Sequence, residues 1–175
     1  MLKEISVKDE KKLREWLDER CQEIDPDVIA KASVILKRVR EEKDQAVRAY
    51  TEQFDHVTVD TFRVSEKELD EAEALCSEEF KDAMRKAAAN IETFHKAQLP
   101  QSYLLQMEHG IYMGERVIPL DSVGIYVPGG RAQYPSSVLM NAIPAKVAGV
   151  RRIVMVTPPN KEGTINPNIA YAARL

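Results

Sequence analysis

The sequence lacks the features that mark several large classes of protein. Its two cysteines, Cys21 and Cys76, form no C-x-x-C motif, so we expect neither a disulfide framework nor a cysteine zinc site. No apolar run approaches the roughly 20 residues of a membrane helix, and the charged amino-terminal residues do not resemble a signal peptide. The net charge of -3 and the pI near 5.7 provide no basic surface for nucleic acid. We therefore expect a cytoplasmic protein that binds neither membrane nor nucleic acid.

Several well-known catalytic motifs are missing as well. The glycines fit neither G-x-G-x-x-G nor a Walker loop, and there is no G-x-S-x-G elbow and no H-E-x-x-H. The three histidines, His56, His95 and His109, lie far apart, and none has the spacing of metal ligands. The many carboxylates stand on segments that are charged on every face, where a solvated surface is the usual role. We expect no metal ligand and no catalytic residue within this chain.

Charged residues are distributed unevenly along the chain. Residues 1–100 contain 18 Lys and Arg with 24 Asp and Glu, whereas residues 101–175 contain 7 and 4. The first part therefore has the composition of a solvated helical surface, and the second part is mostly interior. This difference predicts a helical region over residues 1–100 and an α/β region over residues 101–175, with a boundary near Leu99-Pro100.

The stretch after residue 122 contains a strand that ends in a sharp turn. Val123 to Val127 is short, apolar and β-branched, which predicts a buried strand. Pro128, Gly129 and Gly130 end it, because proline cannot donate to a ladder and glycine accepts positive φ. Such a turn leaves backbone donors open to a ligand.

A helix and a second strand follow this turn. Ser136 or Ser137 is expected to cap the helix, which should stop at Gly149, and Ile153 to Thr157 predicts the second strand. Strand, turn, helix and strand within about 35 residues indicate a βαβ unit, whose ligands bind beyond the carboxyl ends of the strands. Asn166-Pro167 then predicts the cap and first turn of another helix.

Helix signals dominate the first hundred residues. Asp25-Pro26 predicts the start of a helix, and a cap at Asp44 would split the following apolar run in two. Ser65 with Glu68 forms a capping box, and a long amphipathic helix is expected from Ser77 to about Pro100.

Three strand pieces should connect the helices to the βαβ unit. They span Tyr103 to Met107, Ile111 to Met113 and Val117 to Leu120, and they indicate a hairpin or meander. The expected fold is therefore α/β: an amino-terminal helical region packed on an incomplete Rossmann-like βαβ unit, with the hairpin or meander between them.

Tyr126 is the most informative side chain of the predicted turn. As the penultimate residue of its strand, it faces either the core or the crevice beside the turn. A tyrosine in the crevice would offer a flat ring for stacking and a hydroxyl for orienting a ligand. The residues alone leave both orientations open.

Four segments together resemble the histidinol dehydrogenase family, in its order and approximate spacing. Lys43 stands where the family is expected to have glycine, which concerns only a local turn. The family is also much longer, and its zinc ligands and catalytic Glu-His pair would follow Leu175, so the resemblance is to its amino-terminal portion. The segments are VREEKDQAVRAYTEQFDHV at 39–57, AAANIETFHKAQ at 87–98, GERVIPLDSVGIYVPGG at 114–130 and VGIYVPGGRAQYPSSVLMNAIPAKVAGV at 123–150.

The resemblance implies a zinc-dependent homodimer of histidine biosynthesis, which oxidises L-histidinol through the aldehyde to L-histidine with two NAD. It also implies that Tyr126 contacts NAD and that Pro128, Gly129 and Gly130 line that contact. With the catalytic and metal residues elsewhere, the chain alone is expected to be inactive, to bind neither NAD nor zinc tightly, and to self-associate or dimerise.

Two other kinds of function are compatible with the residues. One is a non-catalytic module that binds a nucleotide or phosphate through the helix-terminus donors at Ser136 and Ser137. The other is a structural piece that serves dimerisation.

Overall fold

The computed structural model describes residues 9–20, 25–129 and 133–175. The chain divides into two compact units, Met1–Ala49 and Tyr50–Leu175. The change in charge density at Leu99-Pro100 falls inside the second unit, so the domain boundary inferred from it stays a prediction. No helix in the described ranges is long and apolar enough to cross a membrane.

The first unit consists of helices, α1 (Glu10–Arg20), α2 (Pro26–Glu42) and the start of α3 (Asp44–Asp55). The α2 helix begins as predicted, because the Asp25 carboxylate accepts a hydrogen bond from the Asp27 N–H at 2.9 Å and Pro26 occupies the first helical position. No side chain of α2 is buried, and several of its apolar residues, including Val28 and Leu36, are exposed.

A single residue separates α2 from α3, and it has an unusual backbone. Lys43 has φ 54° and ψ -130°, and its N–H donates to the Val39 carbonyl. Asp44 is the first residue of α3, so the predicted split of this run is confirmed, but Asp44 is not the cap, because the Lys43 carbonyl accepts the bond from the Val47 N–H. A positive φ is strained for lysine and free for glycine, which is physically consistent with the expectation of glycine at this position.

The second unit contains two capped helices, α4 (Glu66–Leu75) and α5 (Glu78–Ala97). The predicted capping box is present: the Ser65 N–H donates to the Glu68 carboxylate at 2.7 Å, and the Glu68 N–H donates to the Ser65 hydroxyl at 3.2 Å. The Ser65 N–H, and then its hydroxyl, lower the pKa of Glu68. Ser77 caps α5, as its hydroxyl accepts from the Phe80 N–H at 3.2 Å.

The predicted hairpin or meander is a hairpin. Strands β1 (Tyr103–Gln106) and β2 (Tyr112–Glu115) pair antiparallel around a tight turn at Glu108–Gly110. The third predicted piece, Val117 to Leu120, is not a strand. Pro119 lies in its centre and removes a backbone donor, which disfavours ladder pairing there.

The βαβ unit is confirmed. Strands β3 (Ser122–Tyr126) and β4 (Arg152–Val156) pair in parallel with Ser122 opposite Arg152 and Tyr126 opposite Val156, and α6 (Pro135–Val147) connects them. The final helix, α7 (Pro167–Arg174), begins at the predicted cap. Gly149 has φ 86° just after α6, so it ends that helix as expected from its tolerance of positive φ.

The core of the second unit lies between the helices and one face of the β3–β4 pair. Helix α5 packs on α6, α6 packs on α7 and both strands, and α4 packs on α7. At the margin of this core, the Arg85 guanidinium donates to the Tyr171 hydroxyl at 3.1 Å, and Arg174 pairs with Asp70 and Glu73 of α4. The buried members are Cys76, Met84, Ile125, Val127, Val138, Leu139, Ile169, Tyr171 and Ala172.

The strain at Lys43 leads to a stability prediction. Replacing Lys43 with glycine should raise the free energy of unfolding by about 1 kcal/mol, because a non-glycine residue in such a region costs on the order of 1–3 kcal/mol and glycine loses part of that gain to chain entropy. Urea unfolding followed by circular dichroism measures the change. Lys43→Ala is the matched control, since it removes the same side chain and keeps the strain. A Lys43→Gly variant less stable than Lys43→Ala would contradict the conclusion that the backbone is strained at this residue.

Candidate functional site

The carboxyl ends of β3 and β4 meet at one edge of the sheet. The ladder continues one residue past β3, because the Val127 N–H donates to the Val156 carbonyl at 2.9 Å. Pro128 and Gly129 follow at once, while Gly130 lies outside the described residues. The turn predicted from the sequence therefore leaves the sheet at the edge where open α/β units bind their ligands.

Tyr126 points away from the core. Its neighbours Ile125 and Val127 are buried, whereas Tyr126 is 64% exposed. Val156, opposite it in the register, is 58% exposed, and Val154 on the same face is 42% exposed. In this chain the Tyr126 side chain therefore lies outside the buried core, and its contact with a cofactor stays a prediction. The ring and hydroxyl of Tyr126 stand on an open apolar face beside the carboxyl edge.

Gly129 brings the turn into close contact with the segment after β4. A Cβ at this position would lie 3.3 Å from both Pro158 Cδ and the Pro158 carbonyl oxygen, and 3.4 Å from the Thr157 hydroxyl. The two contacts with Pro158 are tighter than ordinary van der Waals contact, so a larger residue would require Pro158 to shift by a few tenths of an ångström. Glycine therefore lets the backbone at position 129 lie close to Pro158.

The return limb of the turn is tied to α7. The Asn168 amide donates to the Gln133 side-chain oxygen at 3.3 Å, and the Cys76 sulfur lies 3.6 Å from the Asn168 side-chain oxygen. Asn166 caps α7 by accepting from the N–H groups of Asn168 at 3.0 Å and Ile169 at 3.3 Å. The sequence offered no signal for this contact, because Gln133 and Asn168 are 35 positions apart and neither belongs to a motif.

The predicted serine cap of α6 is wrong. The cap position is Tyr134, which makes no side-chain capping bond, and Pro135 is the first helical residue. Proline is favoured at the first helical position because its φ is fixed near the helical value and it has no N–H that needs a partner. Ser136 and Ser137 are therefore already inside the first turn. The Ser137 N–H donates to the Tyr134 carbonyl at 3.0 Å, which leaves the α6 terminus less suited to hold a phosphate.

The histidines do not form a metal site. His56 and His109 are exposed, each with a positive φ, and His95 is half-buried with its ring edge-on to Phe94 at 5.4 Å. Across the part of the chain that the structure describes, no three His, Cys, Asp or Glu residues are close enough to hold a metal ion. Zinc, with three or four converging ligands, does not fit the residues present here.

Two concave surfaces on the second unit do not include the described residues of the carboxyl-edge turn. One, of about 260 Å³, is lined mainly by aliphatic side chains of β3, β4, α6 and the end of α7; the other, of about 490 Å³, lies between α5 and α6. In the second, Glu92 pairs with Lys96 at 2.7 Å, so charge within the groove is partly neutralised. Neither surface includes Tyr126, Pro128 or Gly129, and neither brings together groups with an evident chemical role.

The carboxyl-edge site offers binding chemistry. It combines an exposed aromatic ring, a glycine that permits close backbone approach and a turn held by the following segment. Such a surface suits the flat rings of a dinucleotide. Among the described residues of this edge, no acid, base and nucleophile converge.

Comparison with known proteins identifies the family to which this chain is similar. The family model of histidinol dehydrogenase matches residues 18–175. Among curated relatives, the histidinol dehydrogenase of Geobacillus kaustophilus is 50% identical over 139 residues, which are 79% of this chain and 33% of the relative. That of Methanothermobacter thermautotrophicus is 42% identical over 173 residues, which are 99% of this chain and 40% of the relative.

A solved structure agrees with these sequence matches. The crystal structure of histidinol dehydrogenase from Elizabethkingia anophelis superposes with a TM-score of 0.82 at 37% identity, covering 87% of this chain and 35% of that one. The chain thus spans between a third and two-fifths of the length of the relatives described here. Because the family model matches nearly the whole length of this chain, the chain belongs to the histidinol dehydrogenase family.

Proposed function

We propose that this chain is the amino-terminal part of a zinc- and NAD-dependent histidinol dehydrogenase, which oxidises L-histidinol through the aldehyde to L-histidine in histidine biosynthesis. The observation that carries the proposal is the family match over residues 18–175, at 42–50% identity to proteins of that name. Oxidising a primary alcohol to a carboxylate removes four electrons, so two molecules of a two-electron acceptor such as NAD are consumed.

In this proposal the chain contributes to NAD binding. The Tyr126 ring is exposed on the sheet face, where it can stack on a flat ring of the cofactor while its hydroxyl orients it. Pro128, Gly129 and Gly130 line the same contact, with Gly129 allowing the backbone to stay close to Pro158. The chemical step is assigned to the remainder of the enzyme, because the described residues supply no zinc cluster and no base at this edge.

The alternative of a separate phosphate-binding module has less support. It relied on donors at Ser136 and Ser137, yet Pro135 has no N–H and the Ser137 N–H is already bonded to Tyr134. Reading the gene beyond codon 175 tests the parentage directly. An open frame that encodes further histidines, an aspartate and a Glu-His pair supports the proposal, and a stop codon there contradicts it.

Replacing Tyr126 tests its role in the full-length enzyme. Tyr126→Ala should weaken NAD binding by about 1–3 kcal/mol, because it removes an aromatic and a polar contact from the site. Stability should change little, since the side chain is exposed. Calorimetric titration with NAD measures the first effect, and thermal unfolding measures the second.

Two variants sharpen this test. Tyr126→Phe separates the ring from the hydroxyl, and Tyr103→Ala removes another exposed tyrosine, from the β1–β2 hairpin. Only the Tyr126 variants should affect NAD. Unchanged NAD affinity in Tyr126→Ala would remove this residue from the cofactor site.

The purified 175-residue chain should neither oxidise L-histidinol nor retain zinc. Tight zinc binding needs three or four converging ligands, and removal of a hydride from an alcohol needs a base within about 3 Å of the hydroxyl. NADH formation from L-histidinol and NAD, and metal analysis after dialysis, check both points against the full-length enzyme as positive control. Turnover, or stoichiometric zinc, would assign roles to His56, His95 or His109.

We further propose that the chain self-associates and that the full-length enzyme is a homodimer. The β3–β4 face carries exposed Val154 and Val156, and the hairpin exposes Leu104, Leu105 and Met113. Exposed apolar area of this kind favours association of the chain, whereas the homodimer of the full-length enzyme rests on the family resemblance alone. Sedimentation velocity over a range of concentrations should show species larger than the monomer. A single monomeric species at high concentration would count against the proposal.

A further inference from the structure

Three polar side chains connect the end of α4 to the turn at the carboxyl edge. Cys76 follows the last residue of α4, Asn168 is the second residue of α7, and Gln133 is on the return limb of the turn. The Cys76 sulfur is 3.6 Å from the Asn168 side-chain oxygen, and the Asn168 amide nitrogen is 3.3 Å from the Gln133 side-chain oxygen. Asn168 therefore stands between a buried residue of the core and an exposed residue of the turn.

The Asn168 side chain has partners on both sides. The Cys76 thiol has one proton and three acceptors in range, which are the Ala72 carbonyl at 3.4 Å and, at 3.6 Å, the Pro167 carbonyl and the Asn168 side-chain oxygen. On the other side, the Asn168 amide nitrogen donates to Gln133. Burial raises the pKa of the Cys76 thiol, so the sulfur keeps its proton at neutral pH. The Asn168 N–H is bonded to the Asn166 side chain at 3.0 Å, which fixes the backbone of this residue in the first turn of α7.

The described ends of the turn contact β4 or the chain that follows it. At the start, the Val127 N–H donates to the Val156 carbonyl at 2.9 Å, and Gly129 packs against Pro158. At the end, Gln133 accepts from Asn168. A residue that is held before a ligand arrives loses less conformational freedom on binding, and this raises affinity without adding a contact to the ligand.

We propose that Asn168 is a positioning residue for the NAD-binding turn and that it acts through Gln133. Asn168 itself does not touch the cofactor in this proposal. Its effect is to keep the return limb in place, so that Tyr126, Pro128 and Gly129 present one surface. The inference rests on the proposed function, because it assumes that NAD binds at this turn.

A double-mutant cycle in the full-length enzyme tests the proposal. The variants are Asn168→Leu, Gln133→Leu and the pair, with the KM for NAD, kcat and the unfolding midpoint measured for each. Each single variant should raise the KM for NAD about two- to fivefold, the effect of one neutral hydrogen bond, with kcat nearly unchanged. The double variant should lose no more than the larger single loss, because both changes break the same bond.

Two further variants make the result specific. Asn168→Asp keeps the shape of the side chain, and the Gln133 amide can turn over to donate to it, so this variant should retain most of the affinity. Asp121→Asn breaks an exposed ion pair with Arg151, 2.8 Å long, at the opposite end of β3 and β4, and it should leave the KM for NAD unchanged. Because Gln133 is exposed, Gln133→Leu remains informative even if Asn168→Leu folds poorly.

The outcomes separate this inference from the proposed function. Additive losses in the cycle, or a lower unfolding midpoint with an unchanged KM for NAD, would overturn the positioning role. If Tyr126→Ala also leaves NAD affinity unchanged, the cofactor assignment itself has failed. If Tyr126→Ala weakens NAD binding and the cycle shows no coupling, the proposed function stands and only the role of Asn168 is wrong.

Discussion

The packing of α6 against one face of the β3–β4 pair determines where the candidate residues lie. Ile125 and Val127 face the helix and are buried, as are Val138 and Leu139 on the helix itself. Because side chains alternate along a strand, burying Ile125 and Val127 forces Tyr126 onto the opposite face. Slipping the register by one residue would bury the tyrosine and expose its two neighbours, so core packing and site geometry depend on the same contact.

This packing also places two segments of the βαβ unit side by side, the turn after β3 and the segment after β4. Parallel strands end at the same edge, so the turn after β3 meets the segment after β4 there. Gly129 against Pro158 and Gln133 against Asn168 both belong to this meeting. The described parts of the proposed cofactor turn are thus shaped by residues that are about 30 positions later in the chain and are not part of the site.

Much of the fold could be predicted because its signals are local. A cap and its helix are adjacent in sequence, so Asp25, the Ser65–Glu68 box and Asn166 could be identified from nearby residues alone. The same holds for the strand, turn, helix and strand of the βαβ unit. Where two local signals compete, the sequence did not show which one determines the structure. At the start of α6 the proline, and not either serine, determined where the helix begins. At Pro119 the proline prevented the strand that the apolar run suggested.

The rest could not be predicted because it depends on contacts between distant residues. Apolar periodicity identified α2 as a helix, but it could not show that Val28 and Leu36 would be exposed in this chain. The orientation of Tyr126 depended on strand register and on which face α6 covers. The family resemblance indicated a cofactor role for Tyr126, and the exposed ring is compatible with that role. The bond between Asn168 and Gln133 has no counterpart in any local pattern.

The connection between β3 and β4 also has a consequence for the time course of folding. Paired residues such as Ser122 and Arg152 are separated by 30 positions, so the ladder closes a long loop before it gains its first bond. The 13 residues of α6 form a rod of about 20 Å, close to the roughly 17 Å of a five-residue strand. Once α6 has formed, its length brings the start of β4 close to the start of β3, so fewer conformations of the connecting chain remain to be sampled. Helix formation is therefore expected to precede strand pairing, and substitutions that weaken α6 should slow folding more than they speed unfolding.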